Sequence, residues 1–357
     1  MSDNRFRFAG AVLAVVLLLA GGVGCCLDKQ ARITVASATD VTAGTADRGA
    51  PLPAGVSLPP GFYPLSGQYD LENPDDHYGG WPRYIMCVAD GMVMAYVPAQ
   101  EFMMGGGTDL DEVPARAVRV NHFYVDIHEV TNCQFGRYSR QGPYRQFYMP
   151  GVNDHHPVRN VSWVEAHGYA AWAGKSLPTE AQWEAAARGS DRRIYPWGNE
   201  EQSDVTRYLC NASTGRDYYD GYQGPAPVMS YSAGISPFGA FNMAGNVWEW
   251  CADWYDPGRY AYPSEEDPPS ALERGALPFG DRNYPSPKHK DIREARVGPP
   301  VGLERVIRGG SFMDPIQQCR VDTRASLPPA ARRNNVGFRC VLMLPPTEDN
   351  DLALASR

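Results

Sequence analysis

Several signatures that would settle a function at once are missing from this chain. It has no GxSxG nucleophile elbow, no P-loop and no dinucleotide-binding glycine fingerprint, so hydrolase, nucleotidase and dehydrogenase readings have no anchor. It has no CxxC and no Cys/His zinc spacing. A basic surplus is lacking too. The formal charge is −8, which argues against a nucleic-acid partner, because such binding rests on neutralising phosphates. The seven His are scattered, and the adjacent pair His155-His156 would point two ways on regular structure, so no non-haem iron triad emerges.

What is abundant is turn-forming residues. The chain holds 36 Gly and 31 Pro, which argues for many loops and against a helical bundle. Hydrophobic content of 43% and charged content of 21% are ordinary for a folded domain. At the N-terminus, Arg5 and Arg7 precede an apolar run from Phe8 to Ala20, then Gly21 to Gly24 and Cys25-Cys26. Residues 1–24 read as an export signal of lipoprotein type, with Cys25 as the lipidated residue. Plain secretion, or a retained N-terminal anchor, is the alternative. Residues 25–83 read as a largely disordered linker, poor in apolar periodicity. The folded domain is expected over 84–345, with a surface insertion at about 256–300 and a polar tail over 346–357. Export makes disulfides possible, and the six cysteines from Cys87 onward allow fifteen full pairings.

Within the domain, Ile85–Val88 and Met92–Val97 read as strands around the turn Ala89-Asp90-Gly91, and Ala117–His128 alternates as one strand. Three helices are predicted by capping boxes: Thr131 with Gln134, Ser162 with Glu165, and Thr179 with Gln182. Gly142, Gly174 and Gly189 sit where those helices should stop. Asp109, Asp111 and Glu112 read as a solvated loop.

Seven motifs then occur in a fixed order: Glu129-Val-Thr-Asn132, Val161-Ser-Trp163, Trp172-Ala-Gly-Lys-Ser-Leu-Pro-Thr-Glu-Ala-Gln-Trp-Glu184, Pro196-Trp-Gly-Asn199, Gly245-Asn-Val-Trp-Glu-Trp250, Arg308-Gly-Gly-Ser311 and Gly337-Phe-Arg339. Together they resemble the formylglycine-generating-enzyme (sulfatase-modifying factor) family. The resemblance implies one compact α+β domain, related to C-type lectins and low in regular secondary structure. Fold alone does not fix activity. The best-known members oxidise a peptidyl cysteine with O₂ and a Cu(I) ion held by two thiolates; relatives include non-catalytic paralogues and small-molecule, siderophore-type oxidases.

The resemblance also assigns residues. Of the two active-site cysteines, the second falls on Cys319 and the first on Asp314, while Ser311 and Trp248 line the site. A carboxylate is a hard ligand and a poor substitute for sulfur on Cu(I), so the copper site is incomplete. Cys319 is then either a ligand still, or a buried structural thiol, or a partner of Cys251. Calcium, which favours oxygen ligands, is the stronger cofactor expectation. One site would use Asn242 and Glu249 side chains with the carbonyls of Gly245 and Val247. A second would use Asn211 and Asp220 with the carbonyls of Ala212 and Tyr222. Three functions stay open: an exported oxidase of a thiol or peptidyl substrate, a non-catalytic, calcium-stabilised module that binds a protein or peptide partner at the cell envelope, or oxidation of a small molecule of siderophore type. In each case the membrane would be met through the lipid anchor.

Overall fold

A computed structural model describes residues 57–65, 77–78, 81–141, 153–200, 208–213, 221–260 and 302–344. Residues 1–24 with Cys25, most of the expected insertion and the expected tail lie outside them. Thirteen short strands and three helices are described: β1 (Phe62–Pro64), β2 (His77–Tyr78), β3 (Trp81–Pro82), β4 (Tyr84–Cys87), β5 (Val93–Val97), β6 (Gln100–Met104), β7 (Arg116–Val120), β8 (Phe123–Asp126), α1 (Asn132–Gln141), α2 (Trp163–Trp172), α3 (Glu180–Arg188), β9 (Trp248–Trp254), β10 (Arg305–Arg308), β11 (Arg324–Leu327), β12 (Val336–Gly337) and β13 (Val341–Met343).

The largest sheet has the order β1-β4-β5-β8-β13 and a second has the order β11-β10-β9-β12. Strand β5 is buried on both faces. Its alternate residues divide between two cores, as the two-residue period of a strand requires. Met94 and Tyr96 join Phe135, Tyr169 and Phe338, whereas Val93, Ala95 and Val97 join Phe123, Trp183 and Val306.

The three helix starts form as the capping boxes predict. Ser162 caps Glu165 and Thr179 caps Gln182 in full boxes; Thr131 N donates to Gln134 Oε1 at 2.9 Å and receives Gln134 N on its own hydroxyl at 3.2 Å. Each satisfied cap is worth about 1 kcal/mol. Gly189 ends α3 with φ +74, and Gly174 follows α2 with φ +73; Gly142 is outside the described residues. Every residue of α3 is buried, so its charged residues must find partners inside the protein. Glu180 takes Arg324 and Arg308, and Glu184 takes Arg308 and Arg188.

Three expectations are corrected. The stretch Ala117–His128 is two strands: β7 pairs only with β6, while β8 joins the large sheet beside β5. The buried His122 at the junction accepts or donates toward Tyr96 Oη at 3.1 Å, so two sheets, not one, explain the continuous apolar pattern. The folded part also begins before Tyr84: β1 pairs with β4 and Trp81 is buried. Lastly, Glu112 is no solvated residue. It is fully buried, accepts from Thr108 N at 2.8 Å and pairs with Arg320 at 2.6 Å, while Asp111 accepts from Tyr255 Oη at 2.6 Å.

Candidate functional site

The site is built on the corner that follows β10. Gly309 and Gly310 have φ +100 and +73, in the left-handed region. Space demands glycine as well: a Cβ on Gly309 would sit 3.0 Å from the Trp183 ring, and one on Gly310 2.6 Å from Cys319 Sγ. Arg308, just before the corner, is fully buried. Its guanidinium donates to the carbonyls of Val321, Asp322 and Thr323 at 2.9, 2.7 and 2.8 Å and pairs with Glu184. One side chain thus clamps the far end of the loop to its near end.

Inside that clamp, Asp314 is the centre. Its Oδ2 accepts from Trp248 Nε1 at 2.8 Å and from Ser311 Oγ. Ser311 Oγ in turn accepts from Asn335 Nδ2 at 3.1 Å and Met313 N at 3.2 Å. Three of the four expected active-site residues therefore meet in one hydrogen-bonded group. Cys319 does not join it. Its thiol is fully buried, faces Pro315 O at 3.7 Å and abuts Gly310. Desolvation pushes that thiol well above its ordinary range. Cys319 is not bonded to Cys251; both are thiols in this structure.

The loop Asn242–Glu249 packs against the same corner. Gly245 N donates to Gly309 O at 2.7 Å and Asn246 N to Asn211 O at 2.8 Å. Positive φ at Asn242, Gly245 and Asn246 gives the loop its tight path. The two expected calcium sets are therefore neighbours, linked where Asn211 Nδ2 donates to Asn246 Oδ1 at 3.1 Å. Asn242 Nδ2 donates to Glu129 Oε2 at 2.9 Å and Asn246 Nδ2 to Glu129 Oε1 at 2.8 Å. Glu249 is held bidentate by Arg339 at 2.7 Å and by Trp183 Nε1 at 2.7 Å. The amide oxygens of Asn242 and Asn211 are buried and have no hydrogen-bond partner. Neither amide can be flipped to cure this, because each nitrogen already faces oxygen acceptors. Tyr222 is partly exposed, with its ring 6.4 Å from Tyr231. Ala212 is buried in the same corner, and Asp220 is outside the described residues.

Sequence reasoning missed Glu129 and Asn246 as site members, although both lie inside quoted motifs. Glu129 is fully buried, and desolvation raises its carboxyl to about 7. Among the described residues no group of three or more His, Cys, Asp or Glu is arranged to hold a metal; the expected calcium sets draw mainly on amides and carbonyls. A separate cavity of about 270 Å³ is lined by Asp191, Arg193, Trp197 and Asn199. Two of its polar groups are engaged internally, Arg193 donating to Asp191 and Asn199 accepting from Ile194 N.

Short sheets, three capped helices and loops clamped from beneath by buried arginines define the formylglycine-generating-enzyme class of fold. Residues 87–344 match the family profile of the sulfatase-modifying factor enzyme 1-like domain, and the chain belongs to that family. It is 33% identical to the formylglycine-generating enzyme of Thermomonospora curvata, across 71% of this chain and 93% of that protein. It is also 28% identical to the inactive C-alpha-formylglycine-generating enzyme 2 of Mus musculus, across 72% and 88%. Among solved structures, PvdO from Pseudomonas aeruginosa shares the fold with a TM-score of 0.53 and 24% identity, over 71% of this chain and 95% of that one.

Proposed function

We propose that this chain is a calcium-stabilised binding domain of the family, exported and lipid-anchored at the cell envelope, that has lost thiol–copper oxidation. Its partner would be a protein or peptide engaging the corner around Asp314. One observation carries the reading. The loop position that would supply the first thiol holds a carboxylate already bonded to Trp248 and Ser311, while the remaining Cys319 is buried and disfavours the thiolate. Two-coordinate Cu(I) needs soft donors, and this donor set does not fit it.

Calcium does fit the residues present. Two buried amide oxygens lack partners at Asn242 and Asn211, and an orphaned acceptor of this kind costs about 1–3 kcal/mol. Glu249 pairs with Arg339, and the Glu129 carboxyl, raised to about 7 by desolvation, lies near both. Asn242 and Glu249 with the Gly245 and Val247 carbonyls would hold one ion. Asn211 and Asp220 with the Ala212 and Tyr222 carbonyls would hold the other. The ion would supply cross-linking of loops that have few ladder hydrogen bonds.

The test is metal content and oxygen uptake of the full protein. Bound calcium, sub-stoichiometric copper, and O₂ uptake with cysteine peptides no higher than that of Cys319→Ser are expected. One tightly held copper per chain, or uptake that Cys319→Ser abolishes, overturns the reading in favour of an oxidase. That second reading draws on the similarity to the Thermomonospora curvata enzyme and on the retained Ser311 and Trp248.

A further inference from the structure

Beneath the Asp314 corner lies a small apolar cage with two sulfurs in it. Its buried members are Cys210, Ala212, Ala244 and Cys319, with Trp197 and Ile316 packed over them. Cys210 and Cys319 are 1% and 0% exposed, and both are thiols. The backbone brings their segments together by three links. Ser213 N donates to Asp314 O at 2.8 Å, Asn246 N to Asn211 O at 2.8 Å, and Gly245 N to Gly309 O at 2.7 Å. The turn Ile316–Gln318 then folds Cys319 back under Gly310. The other two residues of the cage are alanines, which place little bulk around the sulfurs.

We propose that Cys210 and Cys319 form a redox pair, thiols in this structure and a disulfide after oxidation, which staples residues 208–213 to the loop that carries Ser311 and Asp314. The oxidant is a small-molecule disulfide. Both thiols are shut away in the folded protein, so exchange runs through local opening of the loop, in which one cysteine, as its thiolate, attacks the oxidant, forms a mixed disulfide and releases one thiol. The second cysteine's thiolate then attacks the first cysteine's sulfur, which closes the protein disulfide and expels the other small-molecule thiol. Two protons leave, the pair gives up two electrons, and the oxidant is reduced to two thiols. A neutral disulfide suits this cage better than a soft cation does, because two thiolates around a monovalent ion would bury net negative charge beside Asp314. The buried thiols Cys87 and Cys340 differ in setting. Both flank a fixed ion triad centred on Lys175 and lie outside the Asp314 corner.

The experiment equilibrates the full protein in glutathione buffers from fully reduced to fully oxidised. Thiols are then trapped by alkylation under denaturing conditions, and peptides are mapped without reduction. The Cys210 and Cys319 peptides should appear linked and lose their labels together, and oxidation should raise the thermal midpoint by several degrees. Cys210→Ala, which adds a third alanine to the cage, should abolish that rise. Both cysteines still fully alkylated at the oxidised end, or linked elsewhere, would overturn the proposal. So would an undiminished midpoint rise in Cys210→Ala. One equivalent of Cu(I) protecting both thiols against glutathione disulfide would overturn it too, reassigning the pair to metal.

Discussion

Two buried clusters in this fold contain the same formal charges and are finished differently. In the first, Asp90 and Asp126 share Lys175, each at 2.8 Å, with all three side chains fully buried. Met92 N and Tyr169 Oη complete Asp90, and Cys340 N completes Asp126. In the second, Arg339 pairs with Glu249 and lies near the buried Glu129, yet the neighbouring amide oxygens of Asn242 and Asn211 are left without donors. Each cluster holds two carboxylates to one cation. The first closes on itself with protein donors alone, as a structural element must. The second stops short by acceptors only, which is the arrangement a cation would complete.

The sharpest way to break the contrast is to open the closed cluster. Lys175→Met leaves two carboxylates buried without their cation and should cost about 3–5 kcal/mol in chemical denaturation. A variant within 1 kcal/mol of the native protein would show that the triad is not the keystone. Next comes calcium removal. Chelation should lower wild-type stability by about 3 kcal/mol if calcium is present at roughly 100 times its dissociation constant. Asn242→Ala should shrink that chelator response. A response equal in both proteins would place the ion elsewhere or nowhere.

Asp314→Cys sharpens the functional side of the same contrast. It restores a soft donor near Cys319 and should raise copper retained after dialysis from a trace toward one per chain. Unchanged copper would mean that burial of Cys319, and not the missing sulfur, is what forbids the metal. The last prediction concerns acid. His128 is held down at about 4 by desolvation, with its Nδ1 2.7 Å from Glu129 O at the edge of the open cluster. The unfolded chain takes up that proton near 6.5 and the folded protein only near 4. Stability from this group is therefore complete above about 6.5 and falls as pH drops toward 4, no more steeply than about 1.4 kcal/mol per pH unit. His128→Gln should flatten that limb in urea titrations across the window, and an unaltered slope would assign it to other groups.

The helices were legible because a capping box is local. Ser162 and Glu165 lie three residues apart, so sequence alone pairs them. The Asp314 corner was legible through its motif, and the glycine conformations there agree with it. The ion clusters were not, because their partners are remote: Lys175 reaches Asp90 and Asp126 across much of the chain, and Arg339 reaches Glu249 likewise. No periodicity records such pairs. The break between β7 and β8 was hidden because both strands bury apolar residues, one in each of two sheets. β1 was hidden by its three residues, too few for a two-residue alternation to stand out.

The position of β13 carries a consequence for how the molecule is made. Its strand closes the large sheet by pairing Val341 to Val125, Leu342 to Tyr124 and Met343 to Phe123, while the N-terminal β1 forms the opposite edge. As the chain emerges from the ribosome, β8 has an open side until almost the last described residues arrive. The sheet is thus completed only when Val341–Met343 arrive, and an early stop before Val341 leaves an apolar edge for another chain to claim.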